Sequence, residues 1–150
     1  MTESRDQRDE RQLFCRLITP EEVVYDGEAG LVIARIADGD LGVLVDHSPL
    51  VSTVEAGEVR IREDDEQHVY ATSDGFFKVS ENLVQVLVEE AVSAEEINVD
   101  AAENRVEEAE RDLSEVSEEA EDRDRVVAEI ERRQRMGENL VRVARKYSES

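Results

Sequence analysis

The chain is 150 residues long, 39% apolar and 38% charged, with a formal net charge of −21 at pH 7. A charge that negative repels phosphate backbones and anionic lipid, so nucleic-acid binding through a basic surface is excluded. No run approaches the ~18 apolar residues of a membrane span, so no direct membrane insertion is expected. The single cysteine, Cys15, rules out an intramolecular disulfide and a cysteine-based metal site.

Residues 1–11 (MTESRDQRDER) offer nothing to bury and lack the apolar stretch of a signal peptide; a mobile tail is expected there. From residue 12 the pattern changes. Short apolar runs follow one another at Leu13–Ile18, Val23–Tyr25, Leu31–Ala37, Leu41–Val45, Val51–Val54, Val59–Ile61, Val69–Ala71, Phe76–Val79 and Leu83–Val88. Turn residues separate them, among them Thr19-Pro20, Asp26-Gly27, Asp38-Gly39-Asp40, Ser48-Pro49, Ala56-Gly57, Ser73-Asp74-Gly75 and Glu81-Asn82. Many short strands at regular spacing predict an antiparallel sandwich or barrel over residues 12–93. Cys15, inside the first run, reads as a small buried structural residue.

After Ser93 the period changes to that of a helix, and residues 94–136 contain neither Gly nor Pro. Ser93 and Glu96 have capping-box spacing, and Asn98 is a second candidate cap. Val99, Ala102, Val106, Ala109, Leu113, Val116 and Ala120 repeat in steps of three and four, a seam for packing on another helix. Its alanines make that seam lean. A second stripe comprises Val127, Ile130, Gln134, Leu140, Val141 and Ala144, interrupted by Gly137. Residues 114–125 between them are almost wholly polar. A turn there makes a helical hairpin of residues 94–147; without one the segment is a single helix of about fifty residues, and the apolar pattern alone does not choose. Charge favours the hairpin. Residues 95–122 carry thirteen acidic and two basic side chains, and residues 123–146 carry four acidic and eight basic.

No constellation for catalysis stands out. His47 and His68 lie twenty-one residues apart without a ligand set around them, so neither a metal nor a cofactor is expected. Asp46, His47 and Ser48 are consecutive and cannot form a relay. There is no nucleophile elbow and no phosphate-cradling glycine loop. On these residues the chain is not an enzyme.

A family likeness is carried by several segments in order. These are Thr19-Pro20-Glu21, Val24-Tyr25-Asp26-Gly27-Glu28, Asp38-Gly39-Asp40-Leu41-Gly42-Val43-Leu44, His47-Ser48-Pro49-Leu50, Gly57-Glu58-Val59-Arg60-Ile61, Ser73-Asp74-Gly75-Phe76-Phe77-Lys78-Val79 and Ile97 to Ala102. Together they resemble the epsilon subunit of F-type ATP synthases, whose mitochondrial equivalent is called delta. The resemblance implies a β-sandwich of about ten short strands followed by two antiparallel helices. It implies a non-catalytic central-stalk subunit of a proton-translocating synthase, peripheral to the cytoplasmic face of the cell membrane. Its partners would be the gamma subunit, the c-subunit ring and, with the helices extended, the catalytic beta and alpha subunits, whose ATP hydrolysis the helices can inhibit.

Carried over residue by residue, the resemblance implies a ring contact at Asp38, Gly39, Asp40 and His47. It also implies a regulatory helix bearing Arg132, Arg133, Arg135, Arg142 and Arg145. The nucleotide-binding motif of some members, Ile-Asp-x-x-Arg-Ala, falls on Ile97, Asn98, Ala101 and Ala102; it has lost its acid and its arginine, so ATP is expected to bind poorly. Two further departures lie in turns: Val45-Asp46 stands where the family has Pro-Gly, and Asp74 where it has a glycine. The competing readings are a small-ligand-binding sandwich with a dimerising coiled coil, and a transcript-cleavage-factor-like regulator. The latter places its hairpin before the β-region, opposite to the order here.

Overall fold

The computed structural model describes residues 12–148, so the predicted tail at 1–11 lies outside the described residues. The described residues divide into two compact units, with the boundary between Ser93 and Ala94.

The first unit is a β-sandwich. Its strands are β1 (Leu13–Ile18), β2 (Val23–Ala29), β3 (Leu31–Ile36), β4 (Gly39–Val43), β5 (Leu50–Val54), β6 (Gly57–Glu63), β7 (Glu66–Thr72), β8 (Gly75–Ser80), β9 (Leu83–Val88) and β10 (Ala91–Ser93). One sheet has the order β2-β1-β9-β8-β5 and the other β10-β7-β6-β3-β4. Every pairing is antiparallel except that of β1 with β9, which is parallel, so the expected all-antiparallel arrangement holds with that one exception. A parallel neighbour needs a long crossover, and here the intervening strands β2 to β8 supply it.

Alternation along the strands fills the space between the sheets. Leu13, Cys15 and Leu17 of β1, Val84, Val86 and Val88 of β9, and Phe77 and Val79 of β8 meet Val32, Ala34, Val43, Val59 and Ile61 of the second sheet in one core. Burial at every second residue is what a pleated strand with one wet face requires. At the β2 edge the space between the sheets is closed by Tyr25, whose ring lies 5.3 Å from His68 and 6.5 Å from Tyr70.

The second unit is a helical hairpin. A short 3₁₀ turn at Ala94–Glu96 precedes α1 (Val99–Ser114); α2 spans Arg123–Tyr147. The one-helix alternative is thereby set aside. Asn98, not Ser93, caps α1, its Oδ1 accepting from Ala101 N at 3.0 Å. Ser93 is instead the last residue of β10, paired with Tyr70, and so is not free to open a helix. The predicted seam is also shorter than its pattern. Val116 and Ala120 fall in the turn between the helices, because α1 stops at Ser114. On α2 the buried residues are Ile130, Met136, Gly137, Asn139, Leu140, Val143 and Ala144. Gly137, expected to interrupt the stripe, lies inside it: a Cβ there would stand 2.8 Å from Val106 Cγ2 and 3.4 Å from Ala102 O. The lean seam is a close approach of two backbones.

Candidate functional site

Four surfaces hold the residues singled out by sequence and one further candidate face. The first is the β3–β4 turn. Asp38 lies in it, Gly39 opens β4 with φ +124°, a backbone suited to glycine, and Asp40 follows. The Asp40 carboxylate is 3.4 Å from Arg60 Nη2, and the same guanidinium is 3.4 Å from Glu58 through Nε. Asp40 is therefore tied to the outer face of the second sheet by a shared arginine.

His47 lies past the other end of β4. A strand of five residues covers on the order of 13–17 Å, so the structure does not bring Asp38, Gly39 and Asp40 together with His47. β4 runs between the two parts of the expected contact.

His47 closes a tight turn in which its N–H donates to Leu44 O at 3.2 Å. Asp46, third residue of that turn, has φ +65°. One positive φ at the third position is the pattern of a type II turn, which ordinarily takes glycine there and proline before it. This accounts for Val45-Asp46 at the family's Pro-Gly: Asp tolerates the left-handed region, and its side chain has found a partner. The His47 ring donates Nδ1–H to Ser48 O at 2.7 Å, since a carbonyl can only accept. In the neutral ring Nε2 is then an acceptor. Asp74, the other departure in a turn, accepts from Ala56 N at 2.8 Å and stitches the β5–β6 connection to the start of β8.

The second surface is the outer face of the first sheet, which sequence reasoning missed. Strand register aligns Val23, Ile18, Leu87, Phe76 and Thr53 in one row across all five strands. Phe76 is 61% exposed, Val51 beside the row 71% and Val23 53%. Strands β1, β5, β8 and β9 contain no Asp or Glu, although 39 of the chain's 150 residues are acidic. On so acidic a protein, a face whose carboxylates are confined to Asp26 and Glu28 of β2, with exposed apolar side chains over the other strands, has the composition of an interface. The signal was present in the sequence as Phe76-Phe77 and Val86-Leu87-Val88, where both phases of the strand are apolar.

The third surface is the hairpin. Arg133 Nη2 lies 3.0 Å from Asp112 Oδ2, and Arg145 Nη2 lies 2.8 Å from Glu103 Oε2, so two of the five arginines singled out join α2 to α1. Arg142 bonds Asn139 of its own helix, and Arg132 and Arg135 are exposed. The fourth is the degenerate nucleotide motif. Asn98 is occupied as the α1 cap, Ala101 is exposed in the first turn, Ala102 is buried near Gly137, and Ile97 is half-buried just before the cap. Neither Asn98 nor Ala101 can hold a phosphate by charge. Among the described residues, no group of three or more His, Cys, Asp or Glu is placed to hold a metal, and no helix is long and apolar enough to cross a membrane.

Residues 12–94 match the family model described as ATP synthase, Delta/Epsilon chain, beta-sandwich domain. Over 138 residues the chain is 67% identical to the ATP synthase epsilon chain of Rubrobacter xylanophilus, covering 91% of this chain and 94% of that one. The chain belongs to the ATP synthase epsilon chain family. It is accordingly a non-catalytic accessory subunit of a rotary ATP synthase. The sodium-ion-specific epsilon chain of Propionigenium modestum is 32% identical over 131 residues, covering 87% of this chain and 92% of the other. Among solved structures, a chain of the Euglena gracilis mitochondrial ATP synthase (OSCP/F1/c-ring) matches with a TM-score of 0.69 at 23% identity, over 87% of this chain and 79% of that one. A chain of the Tetrahymena thermophila mitochondrial central stalk and c-ring matches at 0.58 and 14%, over 89% and 94%. At those identities the structural matches speak for the fold of the epsilon chain family.

Proposed function

We propose that this epsilon-family chain docks on the gamma subunit through the outer face of its first sheet and touches the c-subunit ring through the ends of β4. The observation that carries the reading is the apolar row Val23, Ile18, Leu87 and Phe76 on a sheet whose only carboxylates are those of β2, the other four strands holding none. A face of that kind left in water favours association, since burying it removes apolar surface from solvent. The subunit then lies peripheral to a membrane, on its cytoplasmic side. The coupling ion in this reading is the proton.

The helices supply regulation. Arg133 and Arg145 hold α2 to the acidic α1 in the hairpin. Released, the same cations, with Arg132, Arg135 and Arg142, suit an acidic surface on the catalytic beta and alpha subunits. Differential affinity of one charged segment for two partners is what a switch needs.

The test is reconstitution of the synthase with the full chain, with Phe76→Glu, and with a chain ending at residue 122. Phe76→Glu should fold, because residue 76 is exposed, yet fail to co-purify with gamma. The truncated chain should assemble and raise ATP hydrolysis. Normal assembly of Phe76→Glu would remove the docking face, and hydrolysis unchanged by truncation would remove the inhibitory role.

A further inference from the structure

Two turns and the start of β1 meet at one end of the sandwich. The Leu44–His47 turn follows β4, the Glu81–Asn82 turn joins β8 to β9, and the start of β1 lies beside them, Phe14 N donating to Asn82 O at 2.8 Å. Glu81 and Asn82 have φ +52° and +64°, the paired left-handed residues of a two-residue hairpin turn. Asp46, thirty-six residues away in sequence, has φ +65°. Its backbone N–H donates to Asn82 Oδ1 at 2.6 Å, and Asn82 Nδ2 donates back to Asp46 Oδ1 at 3.3 Å. Each residue of the pair thus uses one donor and one acceptor on the other.

The pairing is demanding. Both residues sit in backbone conformations that side-chain-bearing residues seldom adopt, and glycine would relieve that at either position. Glycine at 82 would also remove both bonds. What the pair holds in place is the outward tip of the turn. Leu44 is 59% exposed and Val45 39%, and His47 is fixed beside them by its bond to Ser48. Exposed apolar residues on a loop are a liability unless that loop is used, and a loop that binds does so more tightly when its bound shape is set beforehand.

We propose that Asn82 is a positioning residue: through Asp46 it holds Leu44, Val45 and His47 as a preformed docking tip for the polar loop of a c subunit, a role that rests on the ring contact proposed above. The Asn82 side chain spans from the β8–β9 turn of one sheet to the β4–β5 connection, so the tip is fixed relative to the first sheet, whose outer face is the proposed gamma surface. The two contacts are thereby held at a constant offset.

The experiment uses the full chain and a synthase stripped of this subunit. Asn82→Gly keeps the left-handed backbone and deletes the latch. Asp46→Asn keeps the backbone preference and the Oδ1 acceptor. Two quantities are read: amide hydrogen exchange at Asp46 and His47 in the free subunit, and the Kd for the stripped synthase. Asn82→Gly should speed exchange at both amides and weaken binding by about tenfold, chiefly through faster dissociation, while Asp46→Asn stays close to the parent. His47→Ala should weaken binding without speeding exchange at Asp46, and combining it with Asn82→Gly should cost less than the two effects multiplied. Unchanged exchange in Asn82→Gly overturns the latch. Faster exchange with unchanged Kd overturns the positioning role. If His47→Ala and Leu44→Ser also leave Kd unchanged, the ring contact at this tip falls with it.

Discussion

Gly137 of α2 and Val106 of α1 are so close that a methyl group on Gly137 would stand 2.8 Å from Val106 Cγ2, nearer than two carbon atoms approach. Intrinsic preference runs the other way, because Ala is better than Gly inside a helix by about 1 kcal/mol. Overpacking costs about 1–3 kcal/mol, and Val106 is stiff at χ1 in a helix. The clash should win. Gly137→Ala is expected to destabilise the hairpin by about 1 kcal/mol in denaturant unfolding followed by far-ultraviolet circular dichroism. In a Val106→Ala background the same change should become neutral or stabilising. A stabilising effect in the parent would mean that the helices are further apart than described.

The pairs Arg133–Asp112 and Arg145–Glu103 link the two helices with side chains that are 43–67% exposed. Solvent screens them, so each is worth at most about 1 kcal/mol. Their effect should fade with ionic strength. Reversing Arg133 and Arg145 together to Glu is expected to loosen the hairpin at low salt, seen as faster amide exchange along α1, with the difference from the parent shrinking toward 1 M salt. A difference independent of salt would assign the loosening to lost packing of the arginine stems.

Cys15 is fully buried in β1, and its thiol is pushed up to about 12, first by burial and then by the nearby Asp26 carboxylate. A thiol so protected should not react with an aromatic disulfide reagent at pH 8 until the sandwich unfolds. The sign for stability follows. The folded pKa is the higher one, so this group's contribution is whole below the free-thiol range near ~8.5 and is lost as the pH rises from there toward about 12. Prompt labelling of the native protein at pH 8 would contradict the burial.

The strands were legible because each apolar run is bounded by turn residues. β1 and β9 coincide with Leu13–Ile18 and Leu83–Val88, and the other seven runs lie within a few residues of their strands. β10 was not visible in the residues: Ala91–Ser93 is three residues long, follows two glutamates, and exists by pairing with β7. The parallel partnership of β1 and β9 was equally hidden, since register is a relation between segments and not a property of either. Gly137 misled for a physical reason. In a linear pattern a glycine reads as a break, whereas here it is the residue small enough for the crossing. At the site, Asp40 and His47 were readable as residue types, but their separation along β4 and the outer apolar row required the pairing register.

That separation makes the last prediction. Asp38, Gly39 and Asp40 precede or open β4, and His47 follows it, so a strand on the order of 13 Å long lies between the two groups. A disulfide needs Cα atoms within about 7 Å, so one partner residue cannot serve both positions in a fixed arrangement. In a Cys15→Ala background, single cysteines at positions 40 and 47 are each expected to cross-link to a cysteine in the c-subunit loop, well above a control cysteine in residues 1–11. The decisive variant carries both. Two separate contacts predict that Asp40→Cys with His47→Cys captures two partner chains, visible as a second mass increment on a non-reducing gel. Capture that saturates at one chain, with either cysteine protecting the other, would show that both residues compete for a single loop. The ring would then have to run along the exposed edge of β4 instead of meeting its two ends separately.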